Sequence, residues 1–248
     1  MKKMCSMINI NLKNNLQSLS LVIVYFGIAL ICTVVIGVIG VQSIIIPALK
    51  AGKANSEMLS YILGLLGYCT AFIVTGISYS TLFSTPLIRE KIRGNIESLL
   101  ATSTSAKMIW VAKTIALFIP GFIMGIVSSL GLTAIINAFY LLPNYEFHLN
   151  PWIVACTYIA LPIVYFSLSL LMNLVGLIGK AMDAGVIGII FVAGVTALMI
   201  NLVAHNTVDA GSWPFLLVNL ALAGILFIFS IMFQNKLKTE RIVLSCRN

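Results

Sequence analysis

Charge is what this chain has least of. Only 9% of its 248 residues are charged, seven are acidic and two are histidine. Soluble domains carry about 25% charged residues, so an ordinary water-soluble fold is excluded. The five cysteines (Cys5, Cys32, Cys69, Cys156 and Cys246) are scattered, with no CxxC and no ligand-like pairing with His148 or His205. That excludes a disulfide framework and the usual zinc patterns and leaves the cysteines as small packing residues. There is no Asn-x-Ser/Thr sequon. The patterns HExxH and GxSxG are missing, as is any paired-carboxylate arrangement. Residues 176–180 (GLIGK) lack the spacing and the following Ser/Thr of a phosphate-binding loop. The chain is therefore expected not to be an enzyme, to hold no metal and no cofactor, and to be unable to hydrolyse ATP.

What is present in excess is apolar sequence: 60% of residues are hydrophobic and the mean hydropathy is +1.07. Runs of about 20 apolar residues cross a bilayer core of about 30 Å. Six such runs predict an all-α integral membrane fold, one transmembrane domain over 1–248, with spans near 19–46, 59–83, 108–140, 152–178, 184–203 and 215–233. The apolar run after Lys2 and Lys3 is too long, and begins too late, for a cleaved signal, so it is read as retained. Residues 1–18 place Met4, Met7, Ile8, Leu12 and Leu16 on one face, which fits an interfacial helix or a frayed end. In the third span Lys113 lies near one end, where it can snorkel to the interface. Pro120 is expected to kink that span, and Gly121 with Gly125 forms a small-xxx-small packing face. Asn137, Asn173 and Asn201 fall toward span ends, where hydrogen bonding between helices is their expected work. Residues 205–214 fit a short interfacial or re-entrant piece.

The net charge of +8 does not point to nucleic acid, because no basic patch is interleaved with aromatics. Its distribution points to orientation instead. With six spans, the termini, 84–113 and 179–183 share one side and hold thirteen basic and four acidic residues. The other side holds only Lys50 and Lys53 against Glu57, Glu146 and Asp209. The positive-inside rule then predicts that both termini are cytoplasmic.

The longest polar interruption, 84–113, holds five of the basic and two of the acidic residues. As a helix it puts Ile88, Ile92, Ile96, Leu99 and Leu100 on one face. Arg89, Arg93 and Glu97 form a stripe beside them. Thr85 suits a cap and Pro86 a first turn. Gly94 costs about 1 kcal/mol against Ala inside a helix, so a bend or two short helices are the alternatives. The plain reading of this element is a basic loop lying on lipid; the sharper one is a docking surface for a soluble partner. The predicted spans hold almost no ionisable groups, which speaks against an intramembrane enzyme and against an ion-coupled carrier. A chain without its own energy source and with a cytoplasmic docking element points to an engine supplied in trans.

The stretch 89–113, REKIRGNIESLLATSTSAKMIWVAK, resembles the cytoplasmic signature of type-2 ATP-binding-cassette (ABC) permeases. In that family a Glu is followed four residues later by Gly, then by Thr-Leu-Glu, Leu-Leu, Ala-Thr-Pro and a later Gly-Lys. Glu90, Gly94, Glu97, Leu99, Leu100, Ala101, Thr102 and Lys113 match; Asn95, Ser103 and Ala112 depart. The motif covers about 25 residues, and the six-span layout extends the resemblance across the chain. The resemblance implies a permease subunit of an ATP-driven exporter in a bacterial plasma membrane. It implies a second permease chain, identical or homologous, and separate ABC ATPase subunits that bind ATP and magnesium. The linker would then be a coupling helix, with Ile96, Leu99 and Leu100 anchoring the docked face and Glu90, Arg93 and Glu97 orienting it. Lys180 and Asp183 would add a second contact, and 205–214 would be an outer closing element. The rivals are a membrane immunity or sensor module that binds a partner without transporting, and a carrier that works without an ATPase.

Overall fold

A computed structural model describes residues 2–16, 19–51, 55–82, 84–102, 104–141, 150–205 and 207–247. Helix dominates and no strand occurs among these residues. Six helices are long and apolar enough to cross a membrane: Leu19–Lys50, Ser56–Tyr79, Ala106–Leu141, Pro151–Ile178, Met182–Val203 and Trp213–Gln234. The chain is thus an all-α protein of multi-pass membrane type, and its spans fall close to the apolar runs. Glu146 and His148 lie outside the described residues.

The structure differs from the sequence expectation in three places. The first span does not stop at Pro47 but continues to Lys50, through a π-helical turn at Val41–Ile45. A second π turn, Cys156–Ala160, sits just before Pro162, as the first sits just before Pro47. A proline ring clashes with the carbonyl four residues back and removes a donor. Widening the preceding turn by one residue relieves both problems without ending the helix. Second, residues 207–212 form hydrogen-bonded turns and no helix: the Gly211 amide donates to Asp209 Oδ1 (2.9 Å) and Asn150 Nδ2 donates to the Gly211 carbonyl (3.0 Å). Third, the carboxy-terminal tail contains an unanticipated helix, Thr239–Arg247.

The spans are unequally enclosed. In the second and fourth, 61% and 67% of the most apolar stretch is buried; in the first and fifth only 17% and 18% is. The second, third and fourth spans, with the sixth, make the core. Gly121 and Gly125 let the third span lie against the second: a Cβ on Gly121 would stand 2.2 Å from Ser78 Oγ, and one on Gly125 2.2 Å from Thr75 Oγ1. The small-xxx-small pattern is therefore a packing seam. Polar groups close the same core. Trp110 Nε1 donates to the Leu170 carbonyl (2.8 Å), Tyr165 OH to the Phe72 carbonyl (2.6 Å), and Tyr68 OH to Asn219 Oδ1 (2.8 Å). Asn173 and Asn201 instead bond carbonyls of their own helices, Ser169 (3.0 Å) and Ala197 (2.8 Å). Asn219 is an interhelical amide that the sequence did not single out, and it faces a tyrosine across the core.

Candidate functional site

The polar linker between the second and third spans folds as two short helices, Ser84–Ile92 and Asn95–Leu100. Gly94 separates them in the left-handed conformation, with φ 69°. Its amide donates to the Lys91 carbonyl (3.1 Å), a glycine stop of the kind that ends many helices. A Cβ there would meet no neighbouring atom, so glycine is needed for its backbone and not for space.

The break changes which residues share a face. A single helix would have kept Ile88, Ile92 and Ile96 in one row. Across the left-handed turn Ile96 becomes fully enclosed, whereas Ile92 stands 78% exposed. Arg89, Arg93 and Asn95 are also exposed. Leu99 and Leu100 are half-buried, packed near Met7, Ile109 and Ala112. In this arrangement Ile96 belongs to the core and lies on no surface that a partner could touch.

The inward face of the linker is held by two lysines, one from the linker and one from the third span. Lys113 does not snorkel. Its ammonium is buried, ion-paired with Glu90, and 3.4 Å from Asn11 Oδ1 on the amino-terminal helix Lys2–Leu16. Snorkelling is blocked because that helix lies over the start of the third span, with Met7 and Asn11 in its buried face. Glu90 is therefore engaged inside the protein. Lys91, which the sequence reading left without a role, donates to the Gly179 carbonyl (2.5 Å) and to Ser245 Oγ (2.8 Å). Gly179 closes the carboxyl end of the fourth span, where free carbonyls and the helix dipole favour a cation. Ser245 belongs to the carboxy-terminal helix, and its hydroxyl also reaches the Leu177 carbonyl (2.8 Å). Burial holds the Lys91 ammonium below the ordinary lysine range. Burial likewise pushes the neighbouring Cys246 thiol up, against the opposing pull of Lys91.

The linker thus ties together the two terminal helices and the third and fourth spans. Lys180 and Asp183 are exposed next to it, beside the Gly179 carbonyl that Lys91 holds. Glu97 is half-buried and acts electrostatically on Cys246. The carboxy-terminal helix was findable in principle: Ile242 and Cys246 are four residues apart and Leu237 precedes them, and Ile242 and Leu237 are buried.

Among the described residues no group of three His, Cys, Asp or Glu side chains is placed to hold a metal. The contacts of the cluster are charge-assisted bonds that fix a surface-exposed turn on a helical core. No family model, curated protein or solved structure matches this chain.

Proposed function

We propose that this chain is the membrane-spanning permease subunit of an ABC-type exporter in a plasma membrane. It would form the cargo pathway with a second permease chain and be driven by separate ATPase subunits docked on the linker between the second and third spans. The observation that carries the reading is the conjunction of the ordered motif from Glu90 to Lys113 with an apolar residue, Ile92, standing exposed at the tip of a braced turn. An isoleucine left in water gains about 1.5–3 kcal/mol when a partner buries it. The brace gives that docking a mechanical use. A displacement of the turn is transmitted through Glu90 to Lys113 in the third span, and through Lys91 to Gly179 at the end of the fourth.

In this function Glu90 and Lys113 are positioning residues and Ile96 a core residue, while Ile92 makes the partner contact. Lys180 and Asp183, exposed beside the same cluster, supply a secondary one. The sparsely enclosed first and fifth spans offer the faces for the second permease chain. ATP and magnesium belong to the partner subunits. The low charge of the spans favours an amphipathic or hydrophobic cargo, and export over import follows from the resemblance alone.

The test is a pull-down of the tagged chain from its native membrane in mild detergent, followed by mass spectrometry and an ATPase assay. The expected result is a stoichiometric ATPase subunit that is lost in Ile92→Asp while the permease stays folded. A preparation without any ATPase, from cells carrying the native operon, overturns the transporter reading in favour of a partner-binding module that does not transport.

A further inference from the structure

The linker carries a second feature besides the docking tip. Between the amino-terminal helix, the start of the first span and the linker runs a polar groove of about 230 Å³. Its walls include Asn14, Leu21, Arg89, Glu90, Arg93 and Asn95. Glu90 is the only carboxylate among them, and Lys113 already neutralises it. Arg89 and Arg93 are one helical turn apart and exposed, and among the described residues neither has an ion-pair partner. Like charges four residues apart on a helix repel. An anion held between them removes that repulsion, and the guanidinium fork matches phosphate geometry better than a point charge does. Asn14 and Asn95 add neutral donors on the facing walls.

The groove also has an apolar exit. Leu21 lines it, and on the same first span Leu19 and Ile23 are 73% and 61% exposed. A ligand with a phosphate head and hydrocarbon tails would place its head between the arginines and its tails along this bare span. The groove opens where the first span begins, the depth at which lipid headgroups lie. We propose that it is a binding site for an anionic phospholipid, with Arg89 and Arg93 gripping the phosphate and the first span supporting an acyl chain. The bound lipid would fix the amino-terminal helix and the linker against each other on the membrane surface. This reading does not depend on any ATPase, so its failure and that of the docking reading are distinguishable.

The experiment measures binding of dioctanoyl phosphatidylglycerol and dioctanoyl phosphatidylcholine to the purified full-length protein in neutral detergent, with inorganic phosphate as a third probe. Phosphatidylglycerol is expected to bind at least about tenfold more tightly than phosphatidylcholine, and raised salt should weaken it. Arg89→Gln with Arg93→Gln should raise its dissociation constant about tenfold, whereas the exposed Arg241→Gln leaves it within about twofold. Replacing both arginines by lysine should restore part of the affinity, which keeps the test valid if the glutamine variant is poorly folded. Equal binding of the two lipids overturns the proposal, as does an equal loss in Arg241→Gln. Displacement of the lipid by equimolar inorganic phosphate also overturns it, by showing a free-anion site.

Discussion

The inward and outward faces of the same short linker obey opposite rules. Inward, Glu90, Lys91 and Ile96 are buried, and each polar group is matched by a partner from a different part of the chain. Outward, Ile92, Arg89 and Arg93 stand in the open, with an apolar side chain and two like charges left unmatched. A stable fold has reason to satisfy the first set; only something outside the chain benefits from the second. The difference separates what holds the turn from what the turn is for, and four substitutions test it.

The largest effect should come from Glu90→Ala, which strands the Lys113 ammonium in the interior. Removing one member of a buried pair costs about 3–5 kcal/mol. In a detergent-unfolding titration the variant should lose a large part of its stability. The paired change Glu90→Leu with Lys113→Met should recover most of it, because apolar replacement of both partners leaves no charge behind. A recovery no better than the single variant would mean that the pair is not the brace.

Ile96→Ala should follow. It removes a fully enclosed side chain and leaves a cavity, at about 2–5 kcal/mol. If the unfolding midpoint hardly moves while partner capture is lost, Ile96 is a contact residue and the inward assignment is wrong. Lys91→Met should cost about 1–3 kcal/mol, by leaving the Gly179 carbonyl without its donor. Faster hydrogen exchange in 239–247 should accompany it, because Ser245 loses the same partner.

The smallest effect on stability should be that of Ile92→Asp, within about 0.5 kcal/mol, since the side chain is exposed and little enclosed by the rest of the chain. Its effect on capture of an ATPase should be the greatest of the four. A variant that unfolds, or one that still captures the subunit fully, collapses the distinction between the two faces.

How much of this was readable beforehand follows from the range of the interactions. The six spans were legible because each is a local property of about 20 consecutive residues. Gly94 was legible as a break because a glycine in a polar helix is a local conflict. The seam at Gly121 and Gly125 was legible as spacing, although only packing shows that it meets Ser78 and Thr75. The bonds of the linker were not legible. Glu90 and Lys113 are 23 residues apart, Lys91 and Gly179 are 88 apart, and Lys91 and Ser245 are 154 apart. No periodicity in one segment encodes a partner in another. Ile92 and Ile96 carry the same signal in sequence, yet a single left-handed residue between them sends one outward and the other inward.

Composition and hydropathy alone determined that the chain is helical, that it is suited to a membrane, and where its spans run. They could do so because the transfer of apolar side chains and the pairing of backbone groups within a helix depend only on near neighbours. Tertiary structure decided that Lys113 is buried and not snorkelling, that Lys91 caps the fourth span, and that Ile92 is exposed while Ile96 is enclosed. Those outcomes depend on which distant segment comes to lie alongside, and burial in turn decides whether a charge is paired inside or left to the solvent.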